Sequence, residues 1–226
     1  MKHPALRLIP LVLLCTALPA AADPGAGDTG EPEVEGCSDQ FLVDGAQLPE
    51  NPDLYYLMSA ETAWGTPEMV DLVIDAAVRM KDALPEASPL AVGDISRRRG
   101  GFLAPHKQHR GGLDVDLGVY RTGAQQPRGI LPFPASDFDL PANFLLISTL
   151  LATDQVEMIL LDQTHISRLR AWAVTNELLS REEAERWFPR PGTRLERSGI
   201  GVVRHAPGHD GHLHVRVLCA DGTRAR

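Results

Sequence analysis

Residues 205–218 read His-Ala-Pro-Gly-His-Asp-Gly-His-Leu-His-Val-Arg-Val-Leu, and residues 106–120 read His-Lys-Gln-His-Arg-Gly-Gly-Leu-Asp-Val-Asp-Leu-Gly-Val-Tyr. Both stretches end in alternation. In a strand, residues two apart point to the same face. His212, His214 and Arg216 therefore share one face, with Leu213, Val215 and Val217 on the other. Asp114 and Asp116 share a face opposite Val115, Leu117 and Val119. The pattern predicts two half-buried strands, at 115–120 and 212–218. If these strands are neighbours, a carboxylate and two imidazoles converge on one polar face backed by an apolar one. His109 can swing in from the preceding loop, because Gly111 and Gly112 permit a sharp turn.

Clustered histidines with carboxylates invite a zinc reading. Six of the eight histidines fall in these two segments: His106, His109, His205, His209, His212 and His214. Three protein ligands would leave a fourth tetrahedral position open, which is the catalytic arrangement. Two neutral imidazoles and one carboxylate would leave such a site positively charged. A further histidine within reach, outside the ligand set, could accept a proton from water. Each signal also has a plain counterpart. A lone His-x-His on a strand is usually a chance pair, and a lone Asp-x-Asp a solvated turn. Arg216 could bind a substrate carboxylate or pair with Asp114, and the spacing does not choose. Arg97-Arg98-Arg99 reads as a solvated loop, or as a contact for substrate carboxylates.

Working outward, Thr66 and Pro67 suit the start of a helix running to about Leu84. Its apolar face would be Met69, Val73, Ala76, Ala77, Met80 and Leu84. Strands are expected at 90–95, 156–161 and 200–204, and helices at 141–152 and 167–179. Ser180 and Glu183 fit a capping box for a further short helix. Residues 97–112, 121–137 and 206–211 read as loops. Strands and helices mixed without regular alternation predict an α+β fold. It would have a mostly antiparallel central sheet, flanking helices, long loops and the zinc site on one sheet face.

The chain has 226 residues, enough for one domain with a proper core. Its net charge of −8 argues against a nucleic-acid partner. Residues 1–22 combine Lys2 and Arg7, a short apolar run from Leu8 to Leu18, and Ala20-Ala21-Ala22. This is the pattern of a secretory signal cleaved after Ala22. Residues 23–36 are acidic and Gly/Pro-rich and read as a flexible leader, so the folded domain is expected over 37–226. No later run is long enough to cross a bilayer. Export leaves two cysteines, Cys37 and Cys219, near the two ends of that domain. An even pair in an exported protein is most simply a disulfide. The chain-entropy model assigns so long a loop up to about 5 kcal/mol.

His109 and Asp116 stand in the pattern HxxxxxxD, and His212-Leu-His214 supplies HxH. This pairing resembles the zinc signature of the lysostaphin, D-alanyl-D-alanine metallopeptidase and hedgehog-type superfamily. Gly93-Asp94-Ile95-Ser96, Gly100-Gly101, His106-x-x-His109, Gly112-x-Asp114-Val115-Asp116 and Gly208-His209-Asp210-x-x-His212-x-His214-Val215-Arg216 narrow the resemblance to the penicillin-insensitive murein endopeptidases. It covers most of residues 90–120 and 198–219. Gln108 and Gly111 depart from the residues usual there.

The resemblance implies a periplasmic zinc hydrolase that cuts D-alanyl–meso-diaminopimelyl cross-links between the peptide stems of peptidoglycan. It implies His109, Asp116 and His214 as zinc ligands and His212 as general base. His106 and His209 match further site histidines, which could orient water, stabilise the oxyanion or touch a second metal. The sequence has no Gly-x-Ser-x-Gly elbow and no Ser-x-x-Lys motif, so β-lactams would find no activated serine to acylate. It also lacks the His-Glu-x-x-His motif of thermolysin-like proteases. A zinc D,D-carboxypeptidase acting on stem peptides is a close alternative. A non-catalytic zinc-binding wall module is a more distant one, and the presence of His212 speaks against it.

Overall fold

The computed structural model describes residues 37–123 and 130–225. The expected signal peptide (1–22) and leader (23–36) lie outside the described residues. Residues 38–65, where the sequence pattern predicts no element, supply three very short strands. These are β1 Ala46–Gln47, β2 Tyr55–Leu57 and β3 Trp64–Gly65. Two or three residues are too few to show an alternation.

Helix α1 follows at Pro67–Ala83. The Thr66 side chain accepts from the Met69 N–H at its start, and Pro67 fills the first turn. Met69, Val73, Ala76, Ala77 and Met80 are buried, so the predicted apolar face is the face that packs. Next come β4 Leu90–Val92, β5 Asp114–Gly118, α2 Leu140–Leu151, β6 Val156–Leu161 and α3 Gln163–Thr175. The chain then forms α4 Arg181–Trp187, α5 Arg194–Ser198, β7 Val202–His205 and β8 His212–Val217.

Two boundaries differ from the sequence pattern for visible reasons. Helix α3 starts at Gln163, four residues before the expected Ser167, because Asp162 caps it through the Thr164 N–H. Its first turn is polar and carries no apolar rhythm. Strand β4 stops at Val92 rather than Ile95, yet Gly93 N–H still donates to Asp116 O at 2.7 Å. A Cβ on Gly93 would stand 3.1 Å from that of Asp116, so this close approach favours glycine. The predicted capping box at Ser180 and Glu183 is present on α4.

The main sheet has the order β2-β4-β5-β8-β6-β7. Its centre, β4-β5-β8-β6, is antiparallel, while β2 and β7 run parallel to their neighbours at the edges. The fold is α+β. Strands β5 and β8 lie side by side, with Asp114 opposite Arg216, Asp116 opposite His214 and Gly118 opposite His212. Val115, Leu117, Leu213, Val215 and Val217 join the apolar faces of α1, α2 and α3 in one core. Cys37 and Cys219 form a disulfide that ties the start of the described chain to its end. Among the described residues, no helix is long and apolar enough to cross a membrane.

Candidate metal centre

The face of β5 and β8 opposite the core carries Asp114, Asp116, His212, His214 and Arg216. His109 reaches the same face from the 97–112 loop. Its backbone has φ +59°, in the left-handed region that non-glycine residues rarely occupy. Its Nδ1–H donates to the Ile95 carbonyl at 3.0 Å, which locks the ring. The Nε2 lone pair is then aimed at Asp116 Oδ1, 3.3 Å away, and at His214 Nδ1, 3.1 Å away.

His214 is fixed from the other side. Its Nε2–H donates to Asp114 Oδ1 at 3.0 Å, leaving Nδ1 3.1 Å from Asp116 Oδ1. Asp114 is in turn held by Arg216 at 2.9 Å. Burial alone would lower the His214 pKa, but hydrogen bonds to Asp114 and Asp116 outweigh it and raise the pKa to about 9. Burial likewise opposes the Asp116 charge, yet His109 and His214 hold its carboxyl well below the usual range.

That donor set fits a divalent cation. The donor atoms of His109, Asp116 and His214 lie 3.1–3.3 Å apart. Metal–ligand bonds of about 2.0–2.1 Å in a tetrahedron give edges of about 3.3–3.4 Å. The second ring nitrogen of each histidine donates to an oxygen, the outer arrangement that orients imidazole ligands. His106 adds a fourth group, since His106, His109 and Asp116 offer ligand atoms all within 4.8 Å of one another. Its Nε2–H donates to Asp94 Oδ2 at 3.0 Å, leaving Nδ1 3.9 Å from Asp116 Oδ2. Thr62 Oγ1–H donates to the other oxygen of Asp94 at 2.5 Å.

His212 stands at the open edge of the cluster, with Nε2 3.6 Å from Asp116 Oδ1. Burial pushes its pKa down to about 4, the pull of Asp116 notwithstanding, so the ring is neutral at physiological pH. The His209 ring lies 4.7 Å from that of His212 and 5.8 Å from that of His214. Its Nδ1–H donates to Pro207 O, leaving Nε2 free. His205 stands apart from the cluster and accepts from the Gln163 N–H at the start of α3. Arg216 is buried and forms ion pairs with Asp39, Asp114 and Glu157. Arg97, Arg98 and Arg99 lie in an exposed loop.

Several supporting groups carry no sequence signal. The Ile95 carbonyl is a backbone atom, and Asp39 and Glu157 lie far from the site segments in sequence. His165 is the largest omission. It is buried in the first turn of α3, stacks on Phe138 at 4.1 Å, and its Nε2–H donates to the Asp210 carbonyl at 3.0 Å. Asp162 N–H holds the neighbouring His209 carbonyl at 2.9 Å. The beginning of α3 therefore fixes the loop that carries His209.

His106, His109 and Asp116 form a group that could hold a metal ion, and His214 stands beside it. The family model described as penicillin-insensitive murein endopeptidase matches residues 33–132. That segment contains His106, His109, Asp114 and Asp116, and over it the chain is similar to this family. Strand β8 lies beyond it and joins the site through its pairing with β5. No curated protein matches the chain.

Proposed function

We propose that this protein is an exported, zinc-dependent murein endopeptidase that hydrolyses D-alanyl–meso-diaminopimelyl cross-links in the periplasm. The observation that carries this reading is the 3.1–3.3 Å triangle of donor atoms from His109, Asp116 and His214, with His212 at its open edge. In this reading residues 1–22 direct export, residues 23–36 form a leader, and residues 37–226 are the metallopeptidase domain.

His109, Asp116 and His214 would hold the metal. Bound zinc supplies a Lewis acid that polarises the scissile carbonyl and makes water acidic enough to attack near neutral pH. His212, neutral and at the rim, accepts the proton of the attacking water and passes it to the leaving amine. General-base help of this kind contributes about 10²–10⁴ in rate. Asp114, braced by Arg216, holds His214 in the tautomer that presents Nδ1. His106 and His209 flank the reacting groups, where they orient water, steady the oxyanion or meet a second metal.

Incubation with cross-linked muropeptide dimers tests the reading. Release of monomers, abolished by a chelator and restored by zinc, is expected. Release of free D-alanine alone would assign a D,D-carboxypeptidase instead. Metal binding without any turnover would leave a non-catalytic module.

A further inference from the structure

A polar cavity of about 340 Å³ opens next to the metal centre. Its lining includes Gln108, the neighbour of His109, and Arg216, on the same face of β8 as His214. In a protein of net charge −8, this cavity gathers five basic side chains against two acids. Both acids are already engaged. Asp39 pairs with Arg216, and Glu157 pairs with Arg216 at 3.1 Å and with Arg224 at 3.0 Å. Lys107, Arg197 and Arg204 meet no carboxylate at ion-pair distance among the described residues. Among the described residues these three cations thus make no direct ion pair, and Arg204 feels only the longer-range pull of Glu157 and Glu196. A concave site lined by one sign of charge concentrates ligands of the other sign.

The sheet register sets the spacing between Arg204, which lines this cavity, and His214. Leu160 of β6 pairs with His214 on one side and with Arg204 on the other. Arg204 therefore stands level with His214, two strands across, at about 10 Å. Its guanidinium is pinned by the Arg197 carbonyl at 3.2 Å and by Met158 Sδ at 2.7 Å. A group held in place loses less entropy on binding than a free one. An extended peptide advances about 3.3 Å per residue, so the spacing of the Arg204 and His214 backbones corresponds to about three residues of such a peptide.

We propose that this cavity is an oxyanion subsite that holds a carboxylate of the wall peptide about three residues from the bond that is cut. The proposal rests on the murein endopeptidase reading for its ligand. Lys107, Arg197 and Arg204 supply the charge, and a carboxylate placed among them offsets it without disturbing the pairs made by Arg216 and Arg224.

Calorimetric titration of the zinc-loaded full chain tests this without turnover. One probe is a soluble stem tetrapeptide with free carboxylates, and the other is the same peptide with those groups amidated. The free-acid peptide is expected to bind at least about tenfold more tightly, the range of a charge-assisted hydrogen bond. Arg204→Gln and Lys107→Gln should each remove most of that preference. Lys107 is exposed, so its variant tests the charge even if Arg204→Gln disturbs the fold. On cross-linked dimers, Arg204→Gln should raise KM about tenfold with kcat unchanged. Equal affinity for the two peptides, no binding of either, or full preference in both variants would overturn the subsite. Displacement of the peptide by inorganic phosphate at concentrations near the peptide's own Kd would overturn its assignment to a peptide carboxylate. Failure to cleave dimers would sink the endopeptidase reading and leave the titration result standing.

Discussion

The two faces of the β5–β8 pair are made by the same eleven residues and obey different physics. On one face Val115, Leu117, Leu213, Val215 and Val217 are buried among helices, and what matters there is area and fit. On the other face, Asp114, Asp116, His214 and Arg216 are buried nearly as deeply. They tolerate burial only because each charge has a partner. Burying an unpaired charge costs far more than burying an aliphatic chain gains. The apolar face therefore tolerates change in graded steps, whereas the polar face depends on complete sets of partners.

Substitutions on alternate residues of β8 break this contrast most sharply. His214→Ala should abolish both metal binding and turnover, since it removes the donor shared by two sides of the triangle. His212→Ala, two residues away, should retain one metal per chain and lose about 10²–10⁴ in turnover. Metal analysis beside a dimer-cleavage assay separates the two, and equal turnover in wild type and His212→Ala would remove the assigned base. Between them lies Leu213, which faces the core. Leu213→Ala should cost about 2–5 kcal/mol of stability, read by denaturant unfolding, while metal affinity stays at the wild-type value.

Subtler changes sharpen the same comparison. Asp114→Asn keeps the shape but loses the charge that orients His214, so metal affinity should fall about 10–100-fold. A metal-buffered titration would show it, and an unchanged affinity would mean that His214 is held by packing alone. The smallest effect is expected at His165. His165→Phe keeps the stack on Phe138 and removes the donor to the Asp210 carbonyl. The buried Nδ1 of His165 has no hydrogen-bond partner among the described residues, so stability should barely change. kcat should fall by a few-fold at unchanged KM, with faster amide exchange in residues 206–211, because the His209 loop loses one tether. A variant with wild-type kcat and exchange would show that Asp162 suffices to hold the loop.

The extent to which this was legible in sequence follows the range of each interaction. Strand β6 and the capping box of α4 sit where the pattern puts them, because apolar rhythm and caps act within a few residues. The strands between residues 46 and 65 were illegible because they are defined by partners, not by their own pattern. The start of α3 was hidden by its polar first turn. At the site, alternation placed Asp114 with Asp116 and His212 with His214. It could not reveal that a backbone carbonyl, Ile95 O, locks His109, or that Asp39 and Glu157 enclose Arg216.

Sequence alone therefore determined which residues could share a face, where the chain could turn, and which side chains had chemistry to offer. Tertiary structure alone decided that β5 lies beside β8, that His109 takes a left-handed backbone to reach them, and that Arg216 is consumed by pairing. The reason is physical. Periodicity is fixed by local backbone geometry, whereas the partner of a buried charge is chosen by whatever distant group the whole fold brings within hydrogen-bond reach.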